Sequence, residues 1–173
     1  SDVCSSDLPA HIVLLELVVD PVCSLVFERE PDEEDIMERP PRDPSAPLFT
    51  RMLVSSALTQ GMVVLVVTMA IHTWSSLVGT TEYARAMSFG TLVLGILGII
   101  LNNRSFSEPI YRSLTRPNRL MVGTMIGVPL TLIATVTIPQ IAALFRFATL
   151  DAASLGLMAA AGLSAALLRH AGR

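Results

Sequence analysis

Long runs without a charged residue dominate this chain and limit what it can fold into. Four of them contain twenty, eighteen, twenty-six and seventeen residues: Met52 to Ile71, Ala86 to Asn103, Leu120 to Phe145 and Ala152 to Leu168. A helix of about 20 residues crosses the roughly 30 Å hydrocarbon core of a bilayer. A helix of a soluble bundle needs a polar face to meet water, and these runs leave none. The pattern therefore predicts helices that span a membrane.

A fifth apolar run comes first, from about Leu8 to Phe27, and it alone contains acidic residues. The sequence thus predicts an all-α fold, a polytopic bundle of five transmembrane helices at about 9–27, 52–72, 86–103, 120–142 and 152–169. Pro129 and Pro139 should kink the fourth span. The opening residues 1–8 resemble the translation of a sequencing-library adapter, so we expect an artefactual or disordered leader before the membrane domain of residues 9–173.

Composition excludes several functions. Of the 173 residues, 51% are apolar and 16% are charged, and the net charge of −3 argues against a nucleic-acid partner. All twelve basic residues are Arg, which removes the lysine needed for a Schiff base or a GxxxxGK[ST] phosphate loop. The lipid bilayer is the partner that this composition predicts.

The positions of the arginines predict the orientation of the spans. With alternate threading, only Arg85 and Arg146 lie on one side of the membrane, and the other ten arginines lie on the opposite side. Cytoplasmic loops carry the excess of basic residues. The loop at 28–51 and the carboxy terminus are therefore predicted to be cytoplasmic.

The chemistry of the chain is concentrated in its first span, which reads HIVLLELVVDPVCSLVFE. Glu16 and Asp20 are four residues apart and so share one face of a helix. Pro21 has no N–H, and it leaves the carbonyl of Leu17 without its helical partner. Hard cations prefer such oxygen ligands, and broken helices hold the ion sites of many transporters. The pattern favours a cation site formed by Asp20, Glu16 and the Leu17 carbonyl.

Two other interpretations of this segment remain open from the residues alone. One acid could pair with a basic group on another helix, or Glu16 could face a water-filled crevice. Small residues in the later spans would allow helices to approach closely, at Gly95 and Gly98, Gly123 and Gly127, Ala159 to Gly162, and Ala166.

The strings LPAHIVLLELVVDP and DIMERPPRDPSAPLF resemble the sixth transmembrane helix and the following cytoplasmic loop of cation-transporting P-type ATPases, in the calcium-pump-like branch. The DIMERPPR string spans Asp35 to Arg42, and PQIAALFRFATLD resembles the loop before the tenth helix of that family. The resemblance implies helices six to ten of a pump in a bacterial plasma membrane. The partners would be the transported cation, with Ca²⁺ a candidate, and the amino-terminal helices and cytoplasmic domains of the parent.

The resemblance also carries over residue by residue. Asp20 matches the cation-binding Asp of the sixth helix, and Glu16 stands where calcium pumps have Asn and sodium–potassium pumps have Asp. Val19 stands where the family usually has a ligating Thr. The DKTGT phosphorylation motif is absent from this chain. The chain alone is therefore expected to be non-catalytic and without a cofactor, while the parent would use ATP and Mg²⁺. The alternative is a self-contained small carrier, channel or scaffold protein.

Overall fold

A computed structural model describes residues 12–16, 49–103 and 119–167 of the chain. Every regular element in these ranges is a helix. After a short helical stretch at 12–16, the described ranges contain five longer helices, which we label in order: α1 (Arg51–Val78), α2 (Thr81–Asn103), α3 (Arg119–Thr137), α4 (Pro139–Leu144) and α5 (Ala152–Leu167). The prediction of an all-α membrane bundle is confirmed.

Two of these helices are long and apolar enough to cross a membrane, Arg51–Val78 and Thr81–Leu101. Shorter apolar helices occupy Val122–Thr137 and Ala152–Ser164. The first predicted span lies outside the described residues except for 12–16. Both long helices extend beyond the uncharged runs of the sequence. Helical hydrogen bonding continues through polar residues, whereas a span predicted from hydropathy ends at them.

Helix α2 lies at the centre of the bundle. It packs along α1 and along α5, which also contact each other, and α3 lies against it over a smaller area. Most of α2 is buried, whereas α1 buries only Val64, Thr68 and Ser75. The buried apolar core accordingly comes mainly from α2 and α3, with smaller parts from the loop after α4 and from α5. Met87, Val136 and Met158 are among its most enclosed side chains.

Helix α1 begins where a threonine caps it. The Thr50 hydroxyl accepts a hydrogen bond from the backbone N–H of Leu53, at 3.2 Å, and so satisfies one of the free donors of the first turn. At the other end, the N–H of Gly79 donates to the carbonyl of Ser75 at 3.0 Å. Only Gly79 and Thr80 separate α1 from α2, so the two long helices form a tight antiparallel hairpin.

The predicted fourth span is broken into two helices. Its first part ends at Thr137, Ile138 is extended, and Pro139 opens the short helix α4. Proline cannot donate a backbone hydrogen bond, and it disfavours helical geometry in the residue before it, so the break falls at Ile138. Pro129, in contrast, lies inside the continuous helix α3.

A left-handed turn ends α4. Arg146 has a φ of 49°, the one positive φ among non-glycine residues of the described chain. The N–H of Phe147 reaches back to the Ala142 carbonyl at 2.8 Å, and the N–H of Arg146 reaches the Ala143 carbonyl at 3.1 Å. This is the Schellman pattern, in which two terminal carbonyls of a helix are satisfied by the residues after it.

Candidate cation site

Glu16 is the one residue of the predicted cation site that the structure describes. It lies in the helical stretch 12–16, next to Leu14, which is buried, and Leu15, which packs against the main core. The Glu16 side chain itself is exposed. Successive residues of a helix point about 100° apart. With Leu14 and Leu15 directed toward the bundle, Glu16 is therefore directed away from it.

The other two predicted ligands, Asp20 and the Leu17 carbonyl, lie outside the described residues. Within the described ranges, no group of three or more His, Cys, Asp or Glu side chains is placed to hold a metal ion. Whether Glu16 and Asp20 converge stays a prediction.

A hydrogen bond between two side chains joins α1 to α2. His72 Nδ1 and Ser88 Oγ are 2.8 Å apart and join the two helices. The Ser88 hydroxyl donates its single proton to the Ala84 carbonyl, so in this pair the Nδ1–H of His72 is the donor. Ser75, fully buried, donates to the Ile71 carbonyl of its own helix at 2.6 Å.

Sequence reasoning missed the His72 and Ser88 contact. The available signal was the short hairpin, since two residues placed symmetrically about a tight antiparallel turn lie at the same height on the two helices.

The loop after α4 closes one end of the bundle. The buried Phe147 ring lies 5.4 Å from the Phe89 ring of α2 and 6.0 Å from Phe145. The N–H of Ala148 donates to the Glu82 carbonyl at 3.3 Å. The N–H of Leu150 donates at 2.9 Å to the Val136 carbonyl, which the helix break leaves without its usual partner.

Helix α5 begins at an aspartate cap within the same loop. The carboxylate of Asp151 accepts the backbone N–H of Ser154 at 3.1 Å. Hydrogen bonds from the side chain and the backbone of Ser154 lower the pKa of Asp151 below its ordinary value, because they favour the charged form. The Tyr83 hydroxyl lies 2.9 Å from Ser154 Oγ and links this cap to the start of α2.

Glycines mark where helices come closest. A Cβ atom placed on Gly162 of α5 would lie 2.6 Å from Leu94 Cβ, and one on Gly95 of α2 would lie 3.1 Å from the side chain of Val64. The predicted close approach at these two glycines is confirmed. At Gly123 and Gly127 it is wrong for the described chain, since no atom lies within 4 Å of an added Cβ there. Those two glycines lie on a face of α3 that packs against no described neighbour.

Comparison with known proteins matches nearly the whole chain to one family. Residues 8–171 match the family model described as "Cation transporting ATPase, C-terminus". The chain is also 25% identical over 141 residues to a protein of Bacillus subtilis (strain 168) named calcium-transporting ATPase. The aligned part is 80% of this chain and 16% of that relative, so the chain spans a minor part of the relative's length. The match over residues 8–171, together with the apolar helical bundle, shows that this chain belongs to the carboxy-terminal family of cation-transporting P-type ATPases.

Proposed function

We propose that this chain is the carboxy-terminal membrane part of an ATP-driven cation pump and that it contributes carboxylates to the pump's intramembrane cation site. The family match over residues 8–171 carries the proposal, because it includes the first apolar run with its two acids. Calcium is the first cation to test, since the Bacillus subtilis relative is named for its transport.

Asp20 and Glu16 are the proposed ligands, with the Leu17 carbonyl as a third oxygen donor. Inserting an Asp carboxylate at the centre of a membrane helix costs roughly 2.5–3.5 kcal/mol on insertion scales. Intramembrane carboxylates are therefore retained mainly where they bind or relay ions. Their spacing of four residues places both on one helical face. The packing of Leu15 on the core supports a fixed position for this stretch relative to the bundle.

The chemical step belongs to other parts of the parent. This chain holds no DKTGT motif, so the aspartyl phosphate would form on a cytoplasmic domain that uses ATP and Mg²⁺. The role of the chain's own residues is to bind the dehydrated cation. Movement of the helices, driven by phosphorylation, would change how tightly Asp20 and Glu16 hold it.

The gene for the parent provides the first test of this proposal. We expect genomic sequence upstream of the codon for Pro9 to encode an in-frame DKTGT motif. The expressed parent should incorporate radiolabelled phosphate from ATP in a cation-dependent manner. An upstream region without the motif, or a parent that forms no phosphoenzyme with any cation tested, would contradict the proposal.

The topology is a separate prediction, and it rests on the ten-to-two distribution of the arginines. We propose that the loop at 28–51 and the carboxy terminus are cytoplasmic in a bacterial plasma membrane. A cysteine introduced at Ser45 should therefore resist a membrane-impermeant thiol reagent in intact cells and react after permeabilisation. A cysteine at Thr80, in the turn between α1 and α2, is the matched control and should react in intact cells. Labelling of position 45 from outside would contradict this orientation.

A further inference from the structure

Two buried hydroxyl groups of the bundle have no hydrogen-bond partner within the described chain, Thr68 Oγ1 of α1 and Thr91 Oγ1 of α2. Their side chains are only 8% and 1% exposed. Other helical threonines here donate to the carbonyl four residues before them, at distances of 2.6–2.9 Å: Thr59, Thr131, Thr135 and Thr137. A hydrogen bond to the carbonyl four residues earlier is therefore the usual arrangement for a helical threonine, and Thr68 and Thr91 do not form it.

The antiparallel register of α1 and α2 brings the two hydroxyls to the same height. On one side of them Val64 packs against Gly95, and on the other side His72 bonds to Ser88. Thr68 is midway between Val64 and His72, and Thr91 lies between Ser88 and Gly95. Since both flanking pairs are in contact, Thr68 and Thr91 lie at matching heights on the two helices.

Helix α5 closes the third side of this position. A Cβ on Gly162 would lie 3.1 Å from the Thr91 carbonyl and 3.3 Å from the Gly95 nitrogen, so the backbones of α2 and α5 are close here. The position is thus enclosed by three helices, and the interface of α1 and α2 presents two hydroxyls toward it. An unbonded hydroxyl in such surroundings is costly, and the energetic remedy is a partner that can both donate and accept.

We propose that an ordered water molecule binds between Thr68 and Thr91 and bridges α1 to α2 in the interior of the bundle. Water can donate two hydrogen bonds and accept two, and buried waters usually bind two to four polar groups. The two hydroxyls supply two partners, and the second lone pair of a nearby helical carbonyl, such as that of Thr91, can supply another. The inference does not depend on the cation site, which lies in another part of the chain.

A water bridge would give this interface a specific property. The His72 and Ser88 bond is direct, whereas two side chains joined through water can change their separation without losing all of their hydrogen bonds. The α1–α2 hairpin would therefore be tied firmly near its turn and more adaptably one helical turn further along.

The test is a structure of the intact parent at a resolution that reveals ordered water. We expect a density peak within hydrogen-bonding distance of both Thr68 Oγ1 and Thr91 Oγ1. The peak should disappear in Thr68→Val with the helices unmoved, and it should persist in Thr68→Ser, which keeps the hydroxyl. Thr135 is the matched control, because it is 3% exposed and already bonded to its own helix, so no water peak is expected at its hydroxyl.

Two results would overturn the proposal. One is a structure with no peak between the two hydroxyls, in which each donates to a carbonyl of its own helix or one donates directly to the other. The other is a peak that persists in Thr68→Val/Thr91→Val, because the water would then be held by other groups. If Thr68→Val fails to fold, Thr91→Val and Thr91→Ser provide the same comparison from the other side of the interface.

Discussion

The change Asp20→Asn in the intact pump should abolish cation-stimulated phosphoenzyme formation. Asparagine keeps the shape of the side chain and one carbonyl oxygen, but it removes the negative charge that compensates a dehydrated cation. The measurement is the incorporation of labelled phosphate from ATP as the cation concentration is raised. Glu16→Gln should instead lower the apparent affinity or alter the preference among cations, since the related calcium pumps have an amide at the matching position.

Val19→Ala is the matched control for this experiment, because Val19 lies between the two acids and offers no side-chain oxygen. It should leave the cation dependence nearly unchanged. Each variant must be present in the membrane at the level of the wild type and must retain its helical circular dichroism, so that a loss of phosphorylation reports on cation binding. An Asp20→Asn pump with wild-type cation affinity and turnover would show that the ion binds elsewhere.

Much of the fold could be predicted from the sequence because the bilayer imposes a simple rule. Uncharged runs of seventeen or more residues have few alternatives to membrane helices, and the described helices α1, α2, α3 and α5 all lie on such runs. The break at Ile138 also follows from Pro139, whose chemistry acts locally. The same rule did not predict the helix ends. Helix α2 begins at Thr81, five residues before the uncharged run, and its first turn includes polar and charged side chains.

The contacts between helices could not be predicted in the same way. The glycines of the later spans looked equivalent as places of close approach, yet Gly95 and Gly162 meet other helices while Gly123 and Gly127 meet none within the described chain. The difference depends on which face each helix turns toward its neighbours. That choice is the sum of many side-chain contacts, and a run that is apolar on all sides carries little periodic signal for it.

The polar features of the chain likewise differ in how far residue types alone predict them. Two acids and a proline in one apolar run predict a cation site from residue types alone. The pairing of His72 with Ser88 depends on the register of the hairpin. Threonine is common in membrane helices and usually bonds to its own backbone, so only the three-dimensional arrangement distinguishes Thr68 and Thr91 from the others.

The close packing of α2 on α5 leads to the second large expected effect, which is a loss of stability in Gly162→Ala. The added methyl group would meet Leu94 Cβ at 2.6 Å, the Thr91 carbonyl oxygen at 3.1 Å and the Gly95 nitrogen at 3.3 Å. Two of these atoms belong to the backbone of α2, so the helices must separate to admit it. Overpacking of this kind costs about 1–3 kcal/mol, and we expect a lower melting temperature of the purified intact protein.

Alanine variants of two other glycines serve as controls for this measurement of melting temperature. Gly90→Ala would place its methyl group against the sulfur of Met158. That side chain is flexible and can move, so the loss of stability should be smaller than at Gly162. Gly127→Ala meets no atom within 4 Å, and its melting temperature should match or exceed that of the wild type because alanine favours the helix. The order of stability should therefore be Gly127→Ala, then Gly90→Ala, then Gly162→Ala. If Gly162→Ala has the same melting temperature as Gly127→Ala, α5 does not pack on α2 at this position. The enclosure of Thr91 by three helices is then wrong as well.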